Sequence, residues 1–219
     1  MLEKVKKATK ADIEIIKKAF IENYSDAVTE LNYRNDYELL IAIILSAQCT
    51  DKRVNIITPA LFEKYPSVKE LAVAELEDVK ALLNTCSFFN NKSKNIIKMA
   101  QSVLMDYEGE IPHDQKKLMK LAGVGNKTAN VFMIEFEQAN LMAVDTHVFR
   151  VSHRLGLSDG KTVDITEADL VKKLKGHDLH IFHQAMVLFG RYICKAVKPD
   201  CDKCYFPQVC KSKSGFKPA

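Results

Sequence analysis

Apolar positions along the chain recur with helical rather than alternating spacing. In residues 90–107, NNKSKNIIKMAQSVLMDY, the residues Ile96, Ile97, Met99, Ala100, Val103 and Leu104 fall close to a 3.6-residue period, which predicts a helix ending near Gly109 and Pro112. The run Leu39–Leu45 is apolar at every position, as in a helix buried on all sides. Polar residues punctuate these stretches where helices start. Asn35 with Glu38 precedes the apolar run, and Ser67 with Glu70 forms a capping-box pattern ahead of one helix through LAVAELEDVKALL. Further helices are predicted for HDQKKLMKL, KTANVFMIEFEQA, DTHVFRVSHRL closed by Gly156, Thr166–Lys175, and HDLHIFHQAMVLFGRYIC, with a short extended NLMAV before the third of them. The total is roughly ten short helices and no sheet, so the predicted fold class is all-α.

Composition narrows the function classes. The 219 residues are 47% hydrophobic, enough for a substantial core in one large or two small domains. Lys and Arg number 32 against 28 Asp and Glu, a net charge of +4 that permits an acidic partner without demanding one. The longest apolar run is far short of the ~20 residues of a membrane span. The first twenty residues mix lysines with acids and lack the apolar core of a signal peptide, which places the chain in the cytoplasm.

In that compartment clustered cysteines favour metal over disulfides. Cys49 and Cys86 are isolated, whereas Cys194, Cys201, Cys204 and Cys210 form a C-x6-C-x2-C-x5-C array, four thiols for one metal centre. Zinc sites usually use two close pairs, and the spacing also differs from the usual ferredoxin run, so spacing leaves zinc and iron-sulfur both open. Lys195 and Lys198 lie between the first two cysteines, where a metal-closed loop would present them to phosphate.

A second motif, LAGVGNKTANV at residues 121–131, sets a glycine turn between two helices. Gly123 and Gly125 can adopt positive φ and leave their N–H groups uncovered beside those of the next helix, a combination that suits a phosphate. Lys127 then sits at the positive end of that helix, the wrong end for a cation. As a nucleophile it must lose a proton. Lowering a lysine pKa from about 10.4 to about 7.5 takes roughly 4 kcal/mol, of which a helix end supplies only about 0.3 to 1, so Lys127 is expected to line a pocket. Asp145, in AVDTHVFR, stands where a helix N-cap belongs, and a carboxylate held by a cap is also rigidly placed to stabilise developing positive charge.

LLIAIILSAQCTD, NNKSKNI, LAGVGNKTANV, AVDTHVFR, FGRYICKA and the cysteine array occur in an order that strongly resembles the endonuclease III family of base-excision DNA glycosylases, over nearly the whole chain. The resemblance implies a helix-hairpin-helix fold of two helical domains: residues 29–140, and residues 1–28 with 141–219 around a 4Fe-4S cluster on the four cysteines. It makes Lys127 the catalytic lysine and Asp145 the essential aspartate of a bifunctional glycosylase and abasic-site lyase. The implied partner of this monomer is duplex DNA, in the nucleoid, carrying oxidised pyrimidines or abasic sites. It further places Gln48 in the gap left by a flipped nucleotide, Phe88 as a wedge into the opposite strand, and His147 on phosphate. For Phe88 a core position is the competing reading, and His180 with His183 reads as surface or packing. Where the family commonly has proline and a basic residue in the hairpin, this chain has Ala122 and Asn126, which implies a less rigid turn and weaker DNA binding. A mismatch glycosylase without lyase activity, or a non-catalytic DNA-binding iron-sulfur protein, is the alternative.

Overall fold

A computed structural model describes residues 7–212, and among these residues there is no strand. Helix α1 (Lys10–Tyr24) opens on a capping box in which Thr9 and Asp12 each accept the other's backbone N–H. The chain from Thr29 to Ala139 then forms one compact unit, and the segments up to Val28 and from Asn140 onward form another.

The first unit holds α2 (Asp36–Ser46), α3 (Asp51–Lys64), α4 (Val68–Ala72), α5 (Leu76–Leu83), α6 (Phe89–Asp106), α7 (Gln115–Leu118) and α8 (Asn126–Glu137). Helix α2 is its centre: every residue from Tyr37 to Leu45 is buried, and α3, α6 and α8 pack around it. Asn35 caps α2 by accepting from the Glu38 N–H at 2.9 Å. The box does not close as the pattern suggested, because the buried Glu38 carboxylate accepts instead from the Arg34 N–H and guanidinium. The single helix expected over 71–83 is two. Val73 turns outward and Glu75 is extended, which lets Leu71 and Ala72 of α4 and Val79 and Leu83 of α5 all be buried beside α6. The apolar period runs unbroken across that turn, so the pattern did not show it.

The second unit holds α1 with α9 (Thr146–Arg154), α10 (Val163–Lys173) and α11 (Leu179–Tyr192), followed by a single 3₁₀ turn at Cys201–Lys203. Helix α10 starts earlier than expected because Thr162 caps it through the Ile165 N–H. Phe20 of α1 meets Phe182, Phe189 and Phe206 at centroid distances of 6.3, 5.8 and 4.8 Å. Its burial ties the first helix to α11 by edge-to-face contacts and to the cysteine segment by the tilted ring of Phe206. Lys211 fastens the same segment, its amine 2.7 Å from Asp12 and its N–H donating to Arg154 O. That ammonium holds the Asp12 carboxyl below the usual carboxylate range. Among the described residues no helix is long and apolar enough to cross a membrane.

Candidate functional site

The glycine turn joins α7 to α8. Gly123 has φ +82°, as expected, and a Cβ there would meet Asn95 Cβ at 3.1 Å and Ile44 Cγ2 at 3.4 Å, so only glycine lets the turn sit this close to α2 and α6. Gly125 does not use that freedom. Its φ of −95° and ψ of −179° are extended backbone, and it is the N-cap of α8. No side chain caps this helix, and nothing lies within 4 Å of where a Gly125 Cβ would stand. The first-turn N–H groups of α8 therefore face open space, the arrangement that binds an anion. The lost proline of the hairpin is partly offset: Gln115 Nε2 donates to Asn126 Oδ1 at 3.1 Å and to Asn130 Oδ1, tying α7 to α8. Asn126 thus has a structural use, and the turn is better braced than its composition implied.

Lys127 is the second residue of α8 and is exposed. Two other predicted contact residues belong to the same unit. Gln48 follows α2 at φ 54°, and Phe88 precedes α6 at φ 58° with 63% of its surface exposed, which removes the reading of Phe88 as core.

In the second unit Asp145 is the N-cap of α9, its Oδ1 accepting from the Val148 N–H at 2.7 Å. One turn on, Arg150 Nη2 donates to His147 Nδ1 at 3.1 Å, which leaves Nε2 as the His147 donor. Gly190 allows α11 to cross this turn closely: a Cβ there would stand 2.9 Å from His147 Cβ. His183 is buried with Nδ1 2.9 Å from Ala143 O, a packing role as expected.

Two arginines of α9 that the sequence reading passed over shape the cysteine segment. Arg154 donates to the carbonyls of Cys194, Lys195 and Ala196 at 3.1, 2.7 and 3.2 Å, and Arg150 donates to Cys194 O at 2.9 Å. Lys195 and Lys198 stand exposed on the loop so held, Lys198 with φ 49°. The only signal for the arginines was their i, i+4 spacing on one helix face, which does not say what they reach.

The donor set suits an iron-sulfur cluster in chemistry. Arg154 Nη1 lies 3.3 Å from Cys194 Sγ and the Phe206 N–H lies 3.3 Å from Cys204 Sγ, donors placed as thiolate ligands require. Burial pushes the Cys204 thiol up, the Phe206 N–H opposes this, and the nearby Cys194, Cys210 and Cys201 raise it again. Burial likewise raises Cys194, against the pull of Arg154. Thiols that disfavour one another's charge are what a cation would relieve. Among the described residues, no set of three or more metal-ligating side chains is already grouped as a closed site.

Comparison with known proteins gives one answer. Residues 41–175 match the model of the HhH-GPD superfamily base excision DNA repair proteins. Endonuclease III of Rickettsia conorii is 44% identical over 87% of this chain and 91% of its own, and that of Bacillus subtilis is 40% identical over 86% of each. A solved structure of a trapped covalent intermediate of endonuclease III with DNA matches with a TM-score of 0.90 at 40% identity, covering 94% of this chain and 98% of that one.

Proposed function

The chain belongs to the HhH-GPD superfamily of base excision DNA repair proteins and to the endonuclease III family within it, and from that premise we propose that it excises oxidised pyrimidines through a Schiff base on Lys127. Its activity is that of a base excision repair DNA glycosylase and abasic-site lyase. We read the unit Thr29–Ala139 as the helix-hairpin-helix domain and the other as the cluster domain. The observation that carries the reading is the uncapped start of α8. Gly123 and Gly125 leave its first-turn N–H groups for a backbone phosphate, and the same turn presents Lys127.

With that phosphate held and the damaged nucleotide everted, the Lys127 amine attacks C1′. Its lone pair forms the new C–N bond as the glycosidic bond breaks, and the base departs with that electron pair and is protonated. Opening of the sugar ring gives the protonated Schiff base. Loss of a C2′ proton then expels the 3′-phosphate and nicks the strand, and water releases the lysine. Asp145 is fixed by its cap on Val148, so its carboxylate meets the positive charge of the sugar without reorganising.

Gln48 and Phe88 act on the duplex around the everted nucleotide, Gln48 in the vacated space and Phe88 as an apolar wedge. His147 Nε2, Lys195 and Lys198 contact phosphates. Cys194, Cys201, Cys204 and Cys210 would hold a 4Fe-4S cluster, which when bound would fix the loop bearing Lys195 and Lys198.

The test is borohydride trapping on a duplex containing thymine glycol. The wild-type protein should become covalently linked and Lys127→Ala should not, while still binding an abasic-site analogue. Trapped Lys127→Ala would overturn the nucleophile assignment. A wild-type protein that binds with strong salt dependence but is never trapped would show a non-catalytic DNA-binding protein instead.

A further inference from the structure

Lys92, in the first turns of α6, is buried to 6% exposure, a state rare for lysine without partners. Its three donors all have acceptors: Leu45 O at 2.8 Å, Ala47 O at 2.6 Å and Cys86 Sγ at 3.4 Å. The two carbonyls lie at the C-terminal end of α2, 47 and 45 residues away in sequence. There the last turn leaves oxygens without helical partners, and the helix dipole favours a cation. Cys86 belongs to the loop that leads into α6. Lys92 also holds that loop by its main chain, its N–H donating to Phe88 O at 3.1 Å.

The two segments so joined carry the two left-handed residues already described. Gln48 follows Ala47 directly, and Phe88 lies two residues beyond Cys86. A side chain other than glycine in this conformation costs about 1 kcal/mol or more and persists only where its surroundings enforce it. The Phe88 ring cannot supply that enforcement, since most of it is exposed. The ammonium of Lys92 can, because it reaches both segments from one rigid helix.

We propose that Lys92 is a positioning residue: it joins the end of α2 to the start of α6 and so holds Gln48 and Phe88 at a set spacing before DNA is met. The inference rests on the reading of Gln48 and Phe88 as the residues that enter the duplex. Lys92 itself touches no DNA. Its effect is to keep the competent arrangement populated, so that no ordering cost is charged when a lesion is bound.

The experiment measures lesion preference, the ratio of affinity for a duplex with a tetrahydrofuran abasic analogue to affinity for the same duplex undamaged. Lys92→Met keeps the stem and removes the donors. Its preference should fall about tenfold, as expected if the competent population drops to about a tenth, while affinity for undamaged duplex stays within about twofold. Lys92→Arg, which restores charge and donors, should recover most of the loss. Combined with Phe88→Ala, Lys92→Met should add less than its separate effect, since the wedge it positions is already gone. Unchanged preference in Lys92→Met, or full additivity with Phe88→Ala, would overturn the proposal. Phe88→Ala and Gln48→Ala are measured in parallel. Normal preference in both would sink the assignment of those residues and the proposal with it, whereas loss in both with none in Lys92→Met would sink the positioning role alone. If Lys92→Met gives no cooperative thermal transition, Lys92→Gln, one atom shorter and so unable to reach both segments at once, is judged by the same outcomes.

Discussion

The starts of α6 and α8 carry the same oddity, a lysine in the first turns of a helix, and resolve it in opposite ways. Lys92 escapes the unfavourable end of its own helix by reaching the carbonyl end of α2, where all its donors are satisfied and the ammonium is buried. Lys127 stays at the positive end of α8 and is exposed. On the proposed reading the nucleophile is the exposed lysine, and the buried one serves to join two segments of the chain.

The largest expected difference between the two regions is in chemistry. Lys127→Ala should lower strand nicking at an abasic site by roughly a thousandfold or more, read as single-turnover product formation, with binding nearly intact. Lys92→Met should leave the nicking of bound substrate within about threefold and change binding preference instead. Matching losses of rate from both variants would erase the distinction drawn here.

Asp145 sharpens the comparison, because one group is given both a structural and a chemical duty. Asparagine caps a helix about as well as aspartate, so Asp145→Asn should unfold at nearly the wild-type denaturant midpoint yet lose about a hundredfold or more in rate. Asp145→Ala should lose the rate and about 1 kcal/mol of stability as well. An Asn variant with full activity would leave Asp145 as a cap only.

Glu135, on the same helix as Lys127 and partly buried, tests burial without full pairing. Burial pushes its pKa up to about 7; the Thr29 N–H partly opposes this, and Asp51 adds to it. Its Oε1 is buried with no hydrogen-bond partner among the described residues. The folded-state value lies above the ordinary 4.5. The contribution is therefore fully present below about pH 4.5 and lost as pH rises through about 7, by about 3 kcal/mol. Guanidinium midpoints at pH 5 and pH 8 should show that fall, and Glu135→Gln should flatten it. A wild-type midpoint that does not fall over this range would contradict the raised value.

The smallest effect concerns the glycine turn. Gly123→Ala places a Cβ against Asn95 at a positive φ and should cost about 1 to 2 kcal/mol, with weakened DNA affinity. Gly125→Ala has extended backbone and open space, so its stability should change by only a few tenths of a kcal/mol. Equal losses of stability at the two positions would mean that the turn's two glycines are not the distinct elements described.

Much of this molecule was legible from order along the chain. The all-α class, the buried helix at Leu39–Leu45 and the caps at Asn35 and Asp145 depend on residues within a few positions of one another, and local periodicity and capping chemistry are written at that range. The glycine turn with its lysine, and the cysteine array, were readable for the same reason. What only the tertiary structure decided lies at longer range: the burial of Lys92 beside the exposure of Lys127, the arginines that hold the cysteine loop, and the break between α4 and α5. Lys92 stands in register with Ile96, Met99 and Val103 on the apolar stripe of α6. Its partners are more than forty residues away, where no spacing rule reaches, and only the packed core brings a lysine at the start of one helix to the carbonyls at the end of another.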